Sequence, residues 1–135
     1  MSALLQVKVY FASLLVFFAL DLTWLGVVAK GFYRAQLGHL TRPDVQWPAA
    51  LLFYLIYVGA IVVLCIAPAV EKQSIGRAAA LGAVFGLAAY AAFDLTSLAL
   101  LKDFPAGVVW VDLAWGTVLT AAVSAAGYMG AQRLG

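Results

Sequence analysis

The stretch Val9 to Ala29, VYFASLLVFFALDLTWLGVVA, decides the fold: it is apolar almost throughout, and Asp21 is its one charged residue. A hydrocarbon core needs about 20 helical residues to cross it, and this run is long enough. Three further runs of the same character follow, Pro48 to Ala67, Ala78 to Leu101 and Ala106 to Ala131. Backbone polar groups in lipid must be satisfied within a helix or a closed barrel, and these runs lack the polar-apolar alternation of barrel strands. The expected class is therefore all-α, a polytopic membrane protein with four antiparallel transmembrane helices in a bundle. Residues 1–135 are expected to form a single domain.

Composition agrees. Of 135 residues, 66% are hydrophobic and 10% charged, outside the ranges of a soluble domain. The net charge of +2 is spread thinly, with no basic patch to neutralise a row of phosphates, so nucleic acid is excluded as a main partner and the lipid bilayer is the expected one. Lys8 ahead of an apolar run has the outline of a signal peptide, but the run is too long and Asp21 interrupts it, so the segment is expected to be retained. The single Cys65 lies in an apolar run and serves as a small core or lipid-facing residue.

The connections near Val70 to Gly76 and Lys102 to Pro105 are short, which makes the helices they join antiparallel neighbours. Four spans put both termini on the same side. The long connection Lys30 to Gln46 mixes Phe32, Tyr33, Leu37 and Leu40 with Lys30, Arg34, Gln36 and His39, a composition suited to an interfacial anchor without chemistry of its own. Trp47 fits the interfacial belt and Pro48 a first helical turn, while Pro68 marks the other end of the second span. Basic residues do not orient the bundle: Lys8, Lys72, Arg77 and Arg133 balance Lys30, Arg34, Arg42 and Lys102.

Asp21, Asp94 and Asp112 are the candidate site. A carboxylate at mid-bilayer costs roughly 3 kcal/mol on insertion scales, so such groups face the protein interior and pair, bind or carry protons. Asp21 precedes Lys30, Asp94 precedes Lys102 and Asp112 follows Pro105 by similar intervals, so at 1.5 Å per residue all three lie roughly 10 to 14 Å below one interface. No basic residue shares that depth, and one or more of the three is expected to hold its proton at neutral pH.

Partners at helical spacing surround them. Trp24 and Trp115 follow Asp21 and Asp112 by three residues, near enough for an indole N–H to serve either carboxylate. Tyr90 precedes Asp94 by four and Ser97 follows it by three, completing the candidate substrate-binding or proton-binding set. Tyr54 and Tyr57 could present hydroxyls to the same cluster, although packing is the commoner use of such tyrosines. Gly82 and Gly86 form a small-xxx-small pair, and Gly116, Thr120 and Ser124 continue a line from Asp112. The plainer alternative is that these groups are interhelical glue, worth on average about 0.6 kcal/mol per hydrogen bond.

No cofactor or metal is expected. His39 is the only histidine, a solvated loop residue that rules out a bis-histidine haem, and no oxygen-rich loop argues for magnesium or calcium. Asp21-Leu22-Thr23-Trp24, Asp94-Leu95-Thr96-Ser97 and Asp112-Leu113-Ala114-Trp115 share an Asp-Leu core, the trace of a duplicated two-helix unit or a chance recurrence.

The chain resembles the small predicted bacterial membrane proteins grouped as domain of unknown function 2177. The resemblance runs along nearly the whole length and is carried by Asp21-Leu22-Thr23-Trp24-Leu25-Gly26, Ala29-Lys30-Gly31-Phe32-Tyr33-Arg34 with Gln36-Leu37-Gly38, and Trp47-Pro48-Ala49-Ala50 with Phe53-Tyr54. Tyr90 with Asp94-Leu95-Thr96, and Asp112 with Trp115-Gly116-Thr117, complete it. Ser97 stands where the family pattern has Asn. The resemblance implies four spans in a bacterial inner membrane and supplies no substrate.

Three functions compete. The first is proton-linked binding or transport of a small molecule at the aspartates. The second is an accessory or structural subunit docking into a larger membrane protein complex; the expected assembly is a homodimer under the first reading or such a complex under the second. The third is an intramembrane enzyme acting on a lipid or isoprenoid through a protonated aspartate. Enzymatic activity ranks last, because no nucleophile-base pair and no Gly-x-Gly-Asp motif is present.

Overall fold

The computed structural model describes residues 1–135 as five helices with no strand. Four cross the bundle: α1 (Ala3–Val28), α3 (Trp47–Glu71), α4 (Ile75–Leu100) and α5 (Ala106–Leu134). Between the first two, α2 (Lys30–Leu37) occupies the long connection. The spanning helices are apolar on nearly every face because their outer surfaces meet acyl chains rather than water.

The helices outrun the apolar stretches that announce them. Ser2 caps α1 by accepting from the Leu5 amide, and Ser74 caps α4 by accepting from Arg77, so helical bonding extends into the polar layer on both. Pro68 does not end α3, which runs on to Glu71. A proline ring clashes with the carbonyl four residues back, here that of Leu64. That carbonyl lies in a wide π turn, Val62–Ile66, where the Ala67 amide reaches back to Val62, so the obstruction is absorbed upstream. A second wide turn, Trp24–Val28, closes α1, with the Ala29 amide 2.7 Å from the Trp24 carbonyl.

α4 and α5 pack along their length, α1 lies against α5, and the later half of α3 approaches both α4 and α5. The α4–α5 seam is close because Gly86 faces Gly116 and Thr120: a Cβ on Gly86 would overlap the Gly116 carbonyl oxygen. The main core joins Phe17, Tyr57, Val58, Ile61, Ile66, Leu119 and Val123, with Cys65 fully buried among them. The earlier half of α3, Trp47–Ile61, keeps its backbone near α1 rather than α4. The bundle is consequently tight around Gly82, Gly86 and Gly127 and looser towards α2.

At that looser end, Phe104, Val108, Val109 and Leu113 form a second small core, against which Phe32, Tyr33 and Leu37 of α2 pack. His39, exposed as expected, adds an Nε2–H bond of 2.9 Å to the Asp103 carbonyl, tying the connection to the α4–α5 turn. At the other end, Leu5 approaches Gly135, so both chain ends lie together.

Candidate intramembrane carboxyl site

The three aspartates come from α1, α4 and α5 and meet in the layer beneath α2. Asp21 and Asp94 are buried and Asp112 is half-buried. Asp21 is fully served. The Tyr54 hydroxyl donates to its Oδ2 at 2.9 Å, and the Trp115 indole N–H donates to its Oδ1 at 3.0 Å. Asp112 accepts from the Tyr33 hydroxyl at 2.8 Å, and that hydroxyl accepts from the Trp24 indole at 3.2 Å.

The tryptophans therefore cross over. Trp115, one turn beyond Asp112 on α5, serves Asp21 of α1, whereas Trp24, one turn beyond Asp21, serves no carboxylate directly and reaches Asp112 only through Tyr33. Their rings stack with centroids 4.5 Å apart and planes within 7°, which locks the two arms together.

Asp94 differs from both. Its side chain is 1% exposed and meets the Asp112 carboxyl, yet its Oδ2 receives no hydrogen bond. A buried polar atom without a partner is rare and calls for a cause. No basic side chain contributes to the surroundings of Asp21 or Asp94; their charged neighbour is Asp112.

Two candidate residues contribute differently from expectation. The Tyr90 hydroxyl bonds to no carboxylate; its ring instead packs flat over Gly116, where any side chain would strike it. Ser97 is buried one turn beyond Asp94, but its hydroxyl makes no bond to the cluster. Tyr57, the partner of Tyr54 in sequence, pairs with Thr120 at 2.8 Å.

Two residues matter more than their sequence context indicated. Tyr33 belongs to the segment read as a surface anchor, yet its hydroxyl reaches Asp112. Its signal was present: Phe32, Tyr33 and Leu37 share the apolar face of a short helix, and a face that packs downward carries its hydroxyl with it. Burial, assisted by the Asp112 carboxyl, pushes the Tyr33 phenol up against the opposing effect of the Trp24 N–H, so it remains a donor at neutral pH. Tyr54 shares the buried face of α3 with Val58, Ile61 and Cys65, a helical spacing that aims it inward.

The Asp-Leu-Thr repetition has a local explanation. In α1 and α4 the aspartate points inward, and the threonine two residues later points outward and donates to the carbonyl four residues back, Thr23 to Ala19 and Thr96 to Ala92. Both hydroxyls are thereby satisfied where the helix faces lipid.

A lateral crevice of about 360 Å³ opens beside the cluster, lined by Phe53 of α3, Ala89, Tyr90 and Phe93 of α4, and Asp112. It lies where the earlier half of α3 leaves α4. Asp112 is its one charged wall.

These features define a multi-pass membrane protein of four apolar spanning helices with a carboxyl layer under an interfacial helix. A family model described as predicted membrane protein, domain of unknown function 2177, matches residues 6–129. The chain belongs to that family, whose function is unknown. No curated protein and no solved structure matches the chain.

Proposed function

We propose that this protein binds or transports a small molecule in exchange for a proton held between Asp94 and Asp112, in the inner membrane of a bacterium. The observation that carries the reading is the unserved Asp94 Oδ2, buried against a second carboxyl that faces a crevice. Two adjoining carboxyls in a low-dielectric layer share a proton more readily than they both ionise, and a ligand that displaces the proton converts its own binding into proton release. Asp21 has a different part. Capped by Tyr54 and Trp115, it fixes the helices that frame the exchanging pair.

Infrared spectroscopy of the protein in nanodiscs tests this directly. A protonated-carboxyl stretching band at neutral pH should disappear in both Asp94→Asn and Asp112→Asn while circular dichroism shows the helices retained. A band absent from the native protein, or unchanged in both variants, defeats the reading.

A further inference from the structure

We infer that the crevice beside Asp112 takes a hydrophobic organic cation, entering sideways from the acyl layer. The inference rests on the proton-exchange reading above and names its ligand class. The mouth is formed by Phe53, half-exposed, and Phe93, more than half-exposed, on the outer surface of the bundle, so the opening faces lipid rather than either aqueous side. A ligand arriving by this route must partition into hydrocarbon, which selects an apolar body.

The interior selects the charge. Three aromatic rings, of Phe53, Tyr90 and Phe93, share the crevice with one carboxyl and no basic group. Ring faces attract a cation, and the carboxylate attracts it strongly where water is excluded. An anion would meet only repulsion. A neutral hydrocarbon would fill the aromatic space but leave the carboxyl without a partner.

The titratable groups around Asp112 are consistent with one free exchange position. Asp21 of α1 already accepts two hydrogen bonds, Tyr33 of α2 and Tyr54 of α3 already donate theirs, and Tyr90 of α4 presents its ring. Asp94 of α4 remains, with an acceptor atom that no protein group fills. The volume of about 360 Å³ lies at the lower end of small-molecule sites and suits a compact ligand with a single charged head. Binding such a cation releases one proton from the Asp94–Asp112 pair, so charge in the layer is conserved.

The test uses tritiated benzyltrimethylammonium with the full chain in nanodiscs of zwitterionic lipid, competed by the unlabelled cation or by its uncharged isostere neopentylbenzene. Saturable binding is expected, with competition by the cation and little by the isostere, and with about tenfold weaker affinity in Asp112→Asn. Phe53→Ala should also weaken binding while leaving the carboxyl band in the infrared spectrum intact and the helices retained by circular dichroism. Equal competition by the uncharged isostere, or no saturable binding, overturns the cation assignment. If the native carboxyl band persists in that case, proton exchange stands without this ligand class; if it is also missing, both fall.

Discussion

The two ends of this bundle are built from the same helices and use opposite solutions to packing in lipid. At Gly82 and Gly86 the backbones of α4 and α5 touch, Gly127 takes the Ile66 side chain, and the polar side chains these glycines face are the uncharged hydroxyls of Ser13, Thr120 and Ser124. Towards α2 the helices part, and the space is occupied by three carboxyls, two tryptophans, two bonded tyrosines and a crevice. The comparison teaches that the close α4–α5 seam holds the bundle together while the earlier half of α3 stands off α4, leaving room at that end for polar groups. Without a hydrophobic driving force between helices in lipid, close contact is the available source of attraction, and small residues supply it.

The most severe way to break this arrangement is to fill the tight end. Gly86→Leu forces a side chain into the Gly116 backbone and should destabilise the bundle by about 3 kcal/mol or more, read as lost monodispersity and a lower melting temperature in detergent. If Gly86→Leu melts like the native protein, the tight seam is not what holds the two helices.

Removing a donor from the polar end should cost less. Tyr54→Phe leaves a buried Asp21 oxygen without its hydrogen bond and is expected to cost about 1 to 3 kcal/mol by steric-trap or denaturant unfolding in bicelles. Tyr33→Phe removes an equivalent bond from the half-buried Asp112 and should cost only about 0.5 to 1.5 kcal/mol. Its sharper signature is local, since hydrogen exchange should quicken through Lys30–Leu37 while the spanning helices keep their protection. Uniform quickening in all five helices would mean that α2 is not separately anchored.

The smallest effect is at the turns that close each end. Gln73 and Asp103 both adopt positive φ, 53° and 60°. Gln73→Gly is expected to stabilise by about 0.5 kcal/mol and Asp103→Gly by less, because aspartate tolerates the left-handed region better than glutamine. Thermal melts of the two variants side by side would show the order, and a reversed order would locate other strain in the α4–α5 turn.

Much of the fold was legible from residue order because the bilayer is a severe solvent. A run as apolar as Val9 to Ala29 has to be a helix there, and its length fixes that it crosses. The shared depth of Asp21, Asp94 and Asp112 followed from counting residues against the helical rise. Helix ends were less legible: the π turn ahead of Pro68 carries α3 past the proline to Glu71. Spacing along one helix also left open which carboxylate each tryptophan serves: Trp115 serves Asp21 on another helix, and Trp24 bonds to Tyr33 instead of a carboxylate.

The sequence by itself determined the membrane class, the number of spans and the common level of the acidic groups, since all three depend on hydrophobicity and rise per residue, which are local quantities. Only the tertiary structure decided which carboxyl is capped, which is left open, and that Tyr33 descends from the interface to Asp112. Those outcomes depend on the rotation and tilt of each helix about its own axis. Rotation and tilt are set by contacts between residues far apart in the chain, such as Gly86 with Gly116 and Trp24 with Trp115.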